Sequence, residues 1–225
     1  MNIMIDYLKQ LQKNNNREWF HEHKELRSSA TAAFENLLWE LMVEIGKQDD
    51  SILKYEPKEL TFKQVRDTRF SKDKSPYLPA FRAHMSSMGK LPIPVGYYLM
   101  MSPDNQSFLG GGLFTDMFTD ATALIRKHIS EHGEEFANII NDPSFTSRFK
   151  LDGVSLKRVP KGFDPDHPMA DYLKMKSWYL EYPIDDMEFE DEAVFVKKAA
   201  EIYTAMIPFH AFLNEALKDF TFPKR

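Results

Sequence analysis

Residues 81–88, 95–101 and 107–109 are three consecutive strand candidates, joined by connections of only a few residues. In the first two, every second residue places an apolar side chain on one face: Phe81, Ala83 and Met85, and then Tyr97, Leu99 and Met101. A proline at the second position of the turn 102–105 is typical of a tight reversal of the chain. Parallel strands need a crossover of a dozen or more residues, and these connections are too short for one. The segments therefore predict an antiparallel meander.

The regions on either side of the meander have helical periodicity. Apolar residues recur at three- and four-residue intervals over residues 34–45 and again over residues 195–206. Each pattern places one apolar stripe along a helix, and such a stripe must pack against another apolar layer. With further strand candidates at 60–65 and 177–182, the sequence predicts an α+β fold. In this fold an antiparallel sheet of four or five strands packs against long N-terminal and C-terminal helices.

Length and composition indicate one domain. The chain has 225 residues, of which 43% are hydrophobic and 28% are charged, as in an ordinary globular protein. We expect a helical N-terminal part (1–50), a sheet (60–112) and a C-terminal part (113–225). That last part should contain helices and a small hairpin, because Asp152-Gly153 is a tight-turn signal between short alternating segments.

Charge and composition also exclude several classes of function. A net charge of −5 argues against a dedicated nucleic-acid-binding protein, whose binding domain is usually basic. The chain has no cysteine, so it has no disulfide, thiolate metal site or cysteine nucleophile. The sequence contains no signal peptide and no long apolar run, and we expect a cytoplasmic protein without a membrane anchor or cofactor. The sequence leaves the oligomeric state open.

The most informative functional stretch runs from Arg66 to Tyr77 and contains four cations and two carboxylates. Like charges this close repel unless something compensates them. Either the cations converge on an anion such as a phosphate, or they pair with Asp67 and Asp73 inside a rigid loop. The sequence alone does not choose between these alternatives.

Two further features fit an anion site. Residues 110–112 are three glycines that end the third strand and precede a helix, which Thr115 or Asp116 would cap and whose apolar stripe would begin at Met117. A helix N-terminus that the backbone can approach closely binds anions well, although such glycines also serve close strand-to-helix packing. A second basic cluster, residues 157–161, either adds positive charge to the site or forms a solvated edge.

A metal site is not expected. The segment from His128 to His132 matches a His-x-x-Glu-His zinc pattern. However, His128 falls on the apolar stripe of its helix, Gly133 ends that helix, and no third ligand is indicated. We interpret the two histidines as ordinary residues near a helix end.

Several motifs along nearly the whole chain resemble a bacterial and fungal family designated domain of unknown function number 2461. The most specific is the stretch 66–77, Arg-Asp-Thr-Arg-Phe-Ser-Lys-Asp-Lys-Ser-Pro-Tyr. The chain departs from the family pattern after Tyr77, where Leu78-Pro79-Ala80 replaces a more usual lysine-threonine pair. The resemblance implies no activity, substrate or cofactor. Supporting motifs are residues 14–20, 96–98, 107–112 and 160–163, Arg126 and His167-Pro168.

We carry two functional hypotheses. In the first, the protein binds a small anionic ligand, for example a phosphorylated compound, through the cationic loop and the glycine turn. In the second, it is a non-catalytic structural or interaction module whose cationic loop is internally paired or docks an acidic partner. Asp67 is also conceivable as a catalytic base, but no residue pattern assigns a reaction. The candidate ligand-binding residues are Arg66, Asp67, Arg69, Lys72, Lys74, Tyr77, Gly110, Gly111, Gly112, Lys157 and Arg158.

Overall fold

The computed structural model describes residues 2–114 and 118–223. Within these ranges the chain has the predicted α+β fold, with nine α-helices and one four-stranded sheet. The helices are α1 (Ile3–Lys13), α2 (Arg17–Glu22), α3 (Lys24–Ile45), α4 (Pro57–Leu60), α5 (Thr119–Glu131), α6 (Gly133–Ile140), α7 (Pro143–Thr146), α8 (Ala170–Leu173) and α9 (Glu192–Leu217). The strands are β1 (Phe81–Met85), β2 (Tyr97–Met101), β3 (Ser107–Leu113) and β4 (Trp178–Ile184).

The sheet is antiparallel throughout, in the order β1-β2-β3-β4, which confirms the predicted meander. Leu99 of β2 lies opposite Ala83 of β1 and Leu109 of β3, so buried side chains from three strands form one row. β4 comes from the C-terminal part of the chain and pairs with β3. This strand confirms the one predicted at residues 177–182, and the sheet therefore includes a strand outside the range 60–112.

The two long helices cover one face of this sheet. α9 packs against β3 and also against α3, which in turn contacts β1 and α1. Leu38 and Leu41 on the predicted stripe of α3 are fully buried. α9 continues through Pro208, although proline has no amide hydrogen for the helical bond to Thr204. None of the described helices is long and apolar enough to cross a membrane.

Two predicted β elements are absent from the described part of the chain. Leu60 ends α4, and the segment after it makes only isolated bridges, Thr61 with Ala83 and Val65 with Tyr77, so residues 60–65 form no strand. The hairpin at Asp152-Gly153 is also absent. Asp152 instead bridges to Tyr179 of β4, because a partner strand distant in sequence offers hydrogen bonds that override the local turn signal.

The predicted start of α5 falls partly outside the described residues. The proposed caps Thr115 and Asp116, and Met117 of the stripe, belong to the range the structure does not describe. The described part of α5 keeps the expected stripe, since Ala121 and Ile125 are buried.

Candidate functional site

The cationic loop, residues 66–75, begins and ends in a short backbone ribbon. The Arg66 amide donates to the Pro76 carbonyl at 2.9 Å, and the Leu78 amide donates to the Gln64 carbonyl at 2.7 Å. At the far end, the Ser71 amide donates to the Thr68 carbonyl at 3.3 Å and closes a turn. The loop therefore projects from a fixed base beside the outer edge of β1.

Tyr77 anchors this base to the helices. Its ring is buried and stacks on Phe20 of α2, with the ring centroids 3.7 Å apart. The Asn15 side chain bonds both backbone groups of Tyr77, donating to the carbonyl at 2.8 Å and accepting from the amide at 3.1 Å. Arg27 lies over the Phe20 ring, with its guanidinium carbon 4.0 Å from the ring centroid. Tyr77, a predicted ligand residue, is thus a structural support of the loop.

Arg66 lies at the centre of a bonded cluster in the loop. Its guanidinium pairs with Asp73, donates to the Ser75 carbonyl at 3.1 Å and reaches the Ser71 hydroxyl at 3.4 Å. Asp73 in turn accepts from the Ser75 amide at 2.9 Å. These contacts join the beginning of the loop to its end.

The middle of the loop is paired in the same way. The Arg69 guanidinium donates to both carboxylate oxygens of Asp67, the shortest contact being Nη2 to Oδ2 at 2.6 Å. Lys74 Nζ donates to the Thr68 carbonyl at 2.9 Å. Three of the four predicted cations therefore bond within the loop, two of them to Asp67 and Asp73 and the third to a backbone carbonyl.

Two side chains of the loop make no such contact with a described residue and point to solvent. Phe70, in the terminal turn, is 96% exposed, the largest exposure of any bulky apolar side chain in the described part of the protein. Lys72 is exposed and has neither an ion pair nor a hydrogen bond to a described residue. The Arg69 guanidinium carbon lies 5.9 Å from the Phe70 ring centroid, so a cation flanks the ring.

The pairing also determines the protonation of the two carboxylates. Hydrogen bonds from Ser75, together with the Arg66 guanidinium, lower the pKa of Asp73 to about 2. The Arg69 guanidinium lowers the pKa of Asp67 below its usual value. A general base works best when its pKa is near the operating pH, so neither carboxylate is suited to accept a proton near neutrality.

The glycine run has a different position from the predicted one. Gly110, Gly111 and Gly112 lie inside β3 and are buried, rather than forming a turn at the end of the strand. An added Cβ at Gly111 would lie 2.2 Å from His210 Nε2 and 2.8 Å from Met206 Sδ. We call this contact of Gly111, Met206 and His210 the β3–α9 seam. The glycines allow α9 to approach the sheet closely, and β1 and β2 separate them from the cationic loop.

The second basic cluster also lies elsewhere. Lys157 and Arg158 are exposed, and they follow Leu156, whose amide donates to the Lys174 carbonyl at 2.8 Å after α8. No hydrogen bond or ion pair within the described ranges joins either side chain to the loop. The predicted site residues therefore form three separate groups in the fold.

The histidine pattern at the end of α5 gives no metal cluster among the described residues. The His128 and His132 rings are 4.4 Å apart between centroids, and His132 Nδ1 lies 4.0 Å from a Glu135 oxygen. Burial, with a smaller effect of His132, lowers the pKa of His128.

Sequence reasoning did not assign a role to Phe70. The sequence feature that could have indicated one is that Phe70 is the one apolar residue in the charged run before Pro76. An apolar side chain among charges is either buried or available to a partner, and only its exposure in the structure distinguishes these cases.

Comparison with known proteins identifies one family. No curated protein and no solved structure matches the chain. A family model described as "Conserved hypothetical protein (DUF2461)" matches residues 3–212, which include every candidate residue discussed above. The chain therefore belongs to the DUF2461 family.

Proposed function

We propose that the protein is a non-catalytic interaction module that docks its cationic loop onto an acidic, partly apolar surface of a partner. One observation carries the proposal: Phe70 is 96% exposed at the end of a loop whose other groups are bonded to one another. Aromatic residues, Phe among them, are enriched at protein interfaces relative to the rest of the surface.

The internal pairing of the loop supports docking. Contacts of Arg66 with Asp73 and of Lys74 with Thr68 hold the backbone in one shape before any partner arrives. A surface that is ordered in advance loses less conformational entropy on binding. Phe70 supplies the apolar anchor, and Lys72 supplies an unpaired charge that attracts a negative surface.

The same pairing makes the loop a less suitable binding site for a small anion. The Arg69 fork already holds Asp67 through both of its oxygens, so a phosphate would have to displace a carboxylate. The glycines are buried, and Lys157 lies in another part of the fold. Anion binding stays a hypothesis that a phosphate titration can test.

Binding of an acidic amphipathic peptide tests the docking proposal. The probe is a fluorescent peptide with leucines at every third or fourth position among glutamates, measured at several salt concentrations. We expect salt-dependent binding that Phe70→Ala weakens by about tenfold or more, because a buried phenylalanine ring contributes that much to affinity. The same variant should keep its free energy of unfolding within about 0.5 kcal/mol, since the ring is exposed.

Two controls make this test specific. Met187 is 74% exposed in another part of the protein, so Met187→Ala removes a comparable apolar side chain and should leave the affinity unchanged. The same peptide with glutamine in place of glutamate should bind weakly. If the peptide does not bind, or if Phe70→Ala binds as tightly as the unaltered protein, the proposal is wrong.

Inorganic phosphate separates the two hypotheses. A phosphate pocket in the loop would raise the unfolding temperature as phosphate is added, and Arg69→Glu would abolish that increase. Under the docking proposal, phosphate has no more effect than sodium chloride at the same ionic strength.

A further inference from the structure

A second surface of interest lies at the junction of α6, α7 and α9. It is an open groove of about 1080 Å³, compared with about 300 and 350 Å³ for the two grooves beside Trp39 on α3. Its apolar lining consists mainly of small or flat side chains of α9, which leaves room for a bulky side chain from outside. These apolar residues are Ile139, Phe145, Ala205, Pro208, Ala211 and Phe212.

The rim of this groove is acidic. Glu215 pairs with Lys218 at 2.5 Å, Glu131 lies 3.9 Å from Lys127, and the remaining carboxylates have no lysine or arginine of the described chain within ion-pair distance. An apolar floor inside a negative rim matches an apolar anchor flanked by cations. The rim carboxylates are Glu131, Glu134, Glu135, Asp142 and Glu215.

The cationic loop of this same chain has the complementary chemistry. Phe70 is exposed, with Arg69 on one side and Lys72 close by. No hydrogen bond, ion pair or ring contact among the described residues joins the loop to the groove. The loop stands beside α2 and the edge of β1, whereas the groove lies between α6, α7 and α9, so a contact between them requires two molecules.

We infer that the groove receives the cationic loop of a second copy of this chain, with Phe70 on the apolar floor and Lys72, the loop cation that pairs with no described residue, against the acidic rim. This inference rests on the proposed docking function of the loop and names its partner. The two surfaces differ, so the contact is head-to-tail. Each bound pair keeps one free loop and one free groove, and assembly continues until a ring closes or the chain of molecules grows.

Sedimentation velocity of the purified protein from micromolar to millimolar concentration tests the inference. We expect the average mass to rise with concentration beyond that of a dimer and to fall with added salt. Phe70→Glu, which removes the anchor, and Glu134→Lys, which reverses a rim charge, should each weaken association. For Phe70→Glu the expected loss is roughly tenfold to a hundredfold.

Mixing the two variants gives the most specific result. The Phe70→Glu protein keeps an intact groove, and the Glu134→Lys protein keeps an intact loop. Each should be mainly monomeric alone, but an equimolar mixture should form dimers and nothing larger, because the dimer has no functional loop or groove left. A mixture that stays monomeric, or that grows as the unaltered protein does, would overturn the head-to-tail arrangement.

Photocrosslinking locates the contact independently. A benzoylphenylalanine at position 70, mixed with isotope-labelled protein, should crosslink between molecules to residues of α6 or α9 in the groove. Met187→Glu and Trp39→Ala serve as controls at other exposed apolar positions and should not alter assembly. Crosslinks to α3 around Trp39, or loss of assembly in Trp39→Ala alone, would show that the groove is the wrong surface.

Failure of this inference is distinguishable from failure of the proposed function. A protein that remains monomeric at all concentrations, yet still binds the acidic peptide through Phe70, docks onto a different partner. A protein whose peptide binding is also independent of Phe70 contradicts both proposals.

Discussion

The cationic loop exposes its polar groups and bonds them to one another, whereas the interior, which includes the β3–α9 seam, buries two histidine ring nitrogens that have no hydrogen-bond partner among the described residues. Arg69 and Asp67 pair with 78% and 57% of their side chains exposed. His84 and His210 are buried, and His84 Nδ1 and His210 Nε2 have no hydrogen-bond partner among the described residues. A charged group therefore costs little free energy in the exposed loop and much more in the interior.

This difference separates the folding role of the interior from the binding role of the loop. Exposed ion pairs contribute little to stability because water solvates the separated charges almost as well. Substitutions at buried polar groups or closely packed glycines should change stability strongly, because the interior has no free space for a larger side chain. We therefore expect substitutions in the interior to alter stability and substitutions in the loop to alter binding.

The largest effect should come from the apolar layer beneath the sheet. Leu41 on α3 is fully buried, so Leu41→Ala removes apolar burial and leaves a cavity, at a cost of about 2–5 kcal/mol in the free energy of unfolding. Val43→Ala on the same helix alters a side chain that is 41% exposed and should cost much less. Urea denaturation of both variants gives the comparison. Equal losses would show that the buried face of α3 is wrongly assigned.

The second-largest effect on stability should come from acid, which protonates groups in the interior. Burial lowers the pKa of His84 from 6.5 to about 4, and burial with a smaller effect of His84 lowers that of His210 to about 3. The unfolded chain therefore binds more protons than the folded chain between about pH 6.5 and 4. The free energy of unfolding should fall as pH falls through this window, by up to about 1.4 kcal/mol per pH unit for each histidine.

The slope of stability against pH identifies the groups responsible. His84→Gln should make the slope shallower, whatever it does to stability at pH 7, because one titrating group is lost. Tyr97 and Asp49, which adjoin His210, remain in this variant. His21→Gln, at an exposed position, is the control and should leave the slope unchanged. If the free energy of unfolding does not change between pH 7 and pH 5, the prediction that the buried histidines are neutral in the folded protein is wrong.

The sequence predicted the parts of the fold that local periodicity determines. The alternation in β1 and β2 and the apolar stripe of α3 arise from spacing within one element, and the structure confirms them. The glycine run was placed wrongly at a turn. The reason that β3 needs small residues is the approach of His210 from α9, a contact between residues far apart in the sequence.

The candidate site was predictable in composition but not in geometry. The charged run identified the loop, but which carboxylate pairs with which cation depends on the backbone turn at 68–71. The exposure of Phe70 depends on where the loop stands relative to the rest of the molecule. The groove could not be predicted at all, because the neighbouring helices α6 and α7 form it together with α9, which lies far along the sequence.

Overpacking the β3–α9 seam should lower the free energy of unfolding by less than Leu41→Ala does. Gly111→Ala places a methyl group 2.2 Å from the buried His210 ring, and the shift needed to relieve this clash should cost about 1–3 kcal/mol. In the double variant Gly111→Ala/His210→Ala the ring is absent, so the combined loss should be less than the sum of the two single losses. Additive losses in urea denaturation would indicate that the methyl group is accommodated elsewhere.

The smallest effect on stability should come from the loop, where the comparison is sharpest. Arg69→Gln breaks the fork to Asp67, but both side chains remain in water, so the urea midpoint should not change measurably. The same variant should weaken binding of the acidic peptide, because it leaves the Asp67 carboxylate uncompensated near Phe70 and lowers the net positive charge of the loop. Lys13→Gln, at an exposed position on α1, is the matched control and should alter neither quantity. If Arg69→Gln lowers the midpoint as much as Leu41→Ala does, the loop braces the fold, and the separation between a folding interior and a binding loop does not hold.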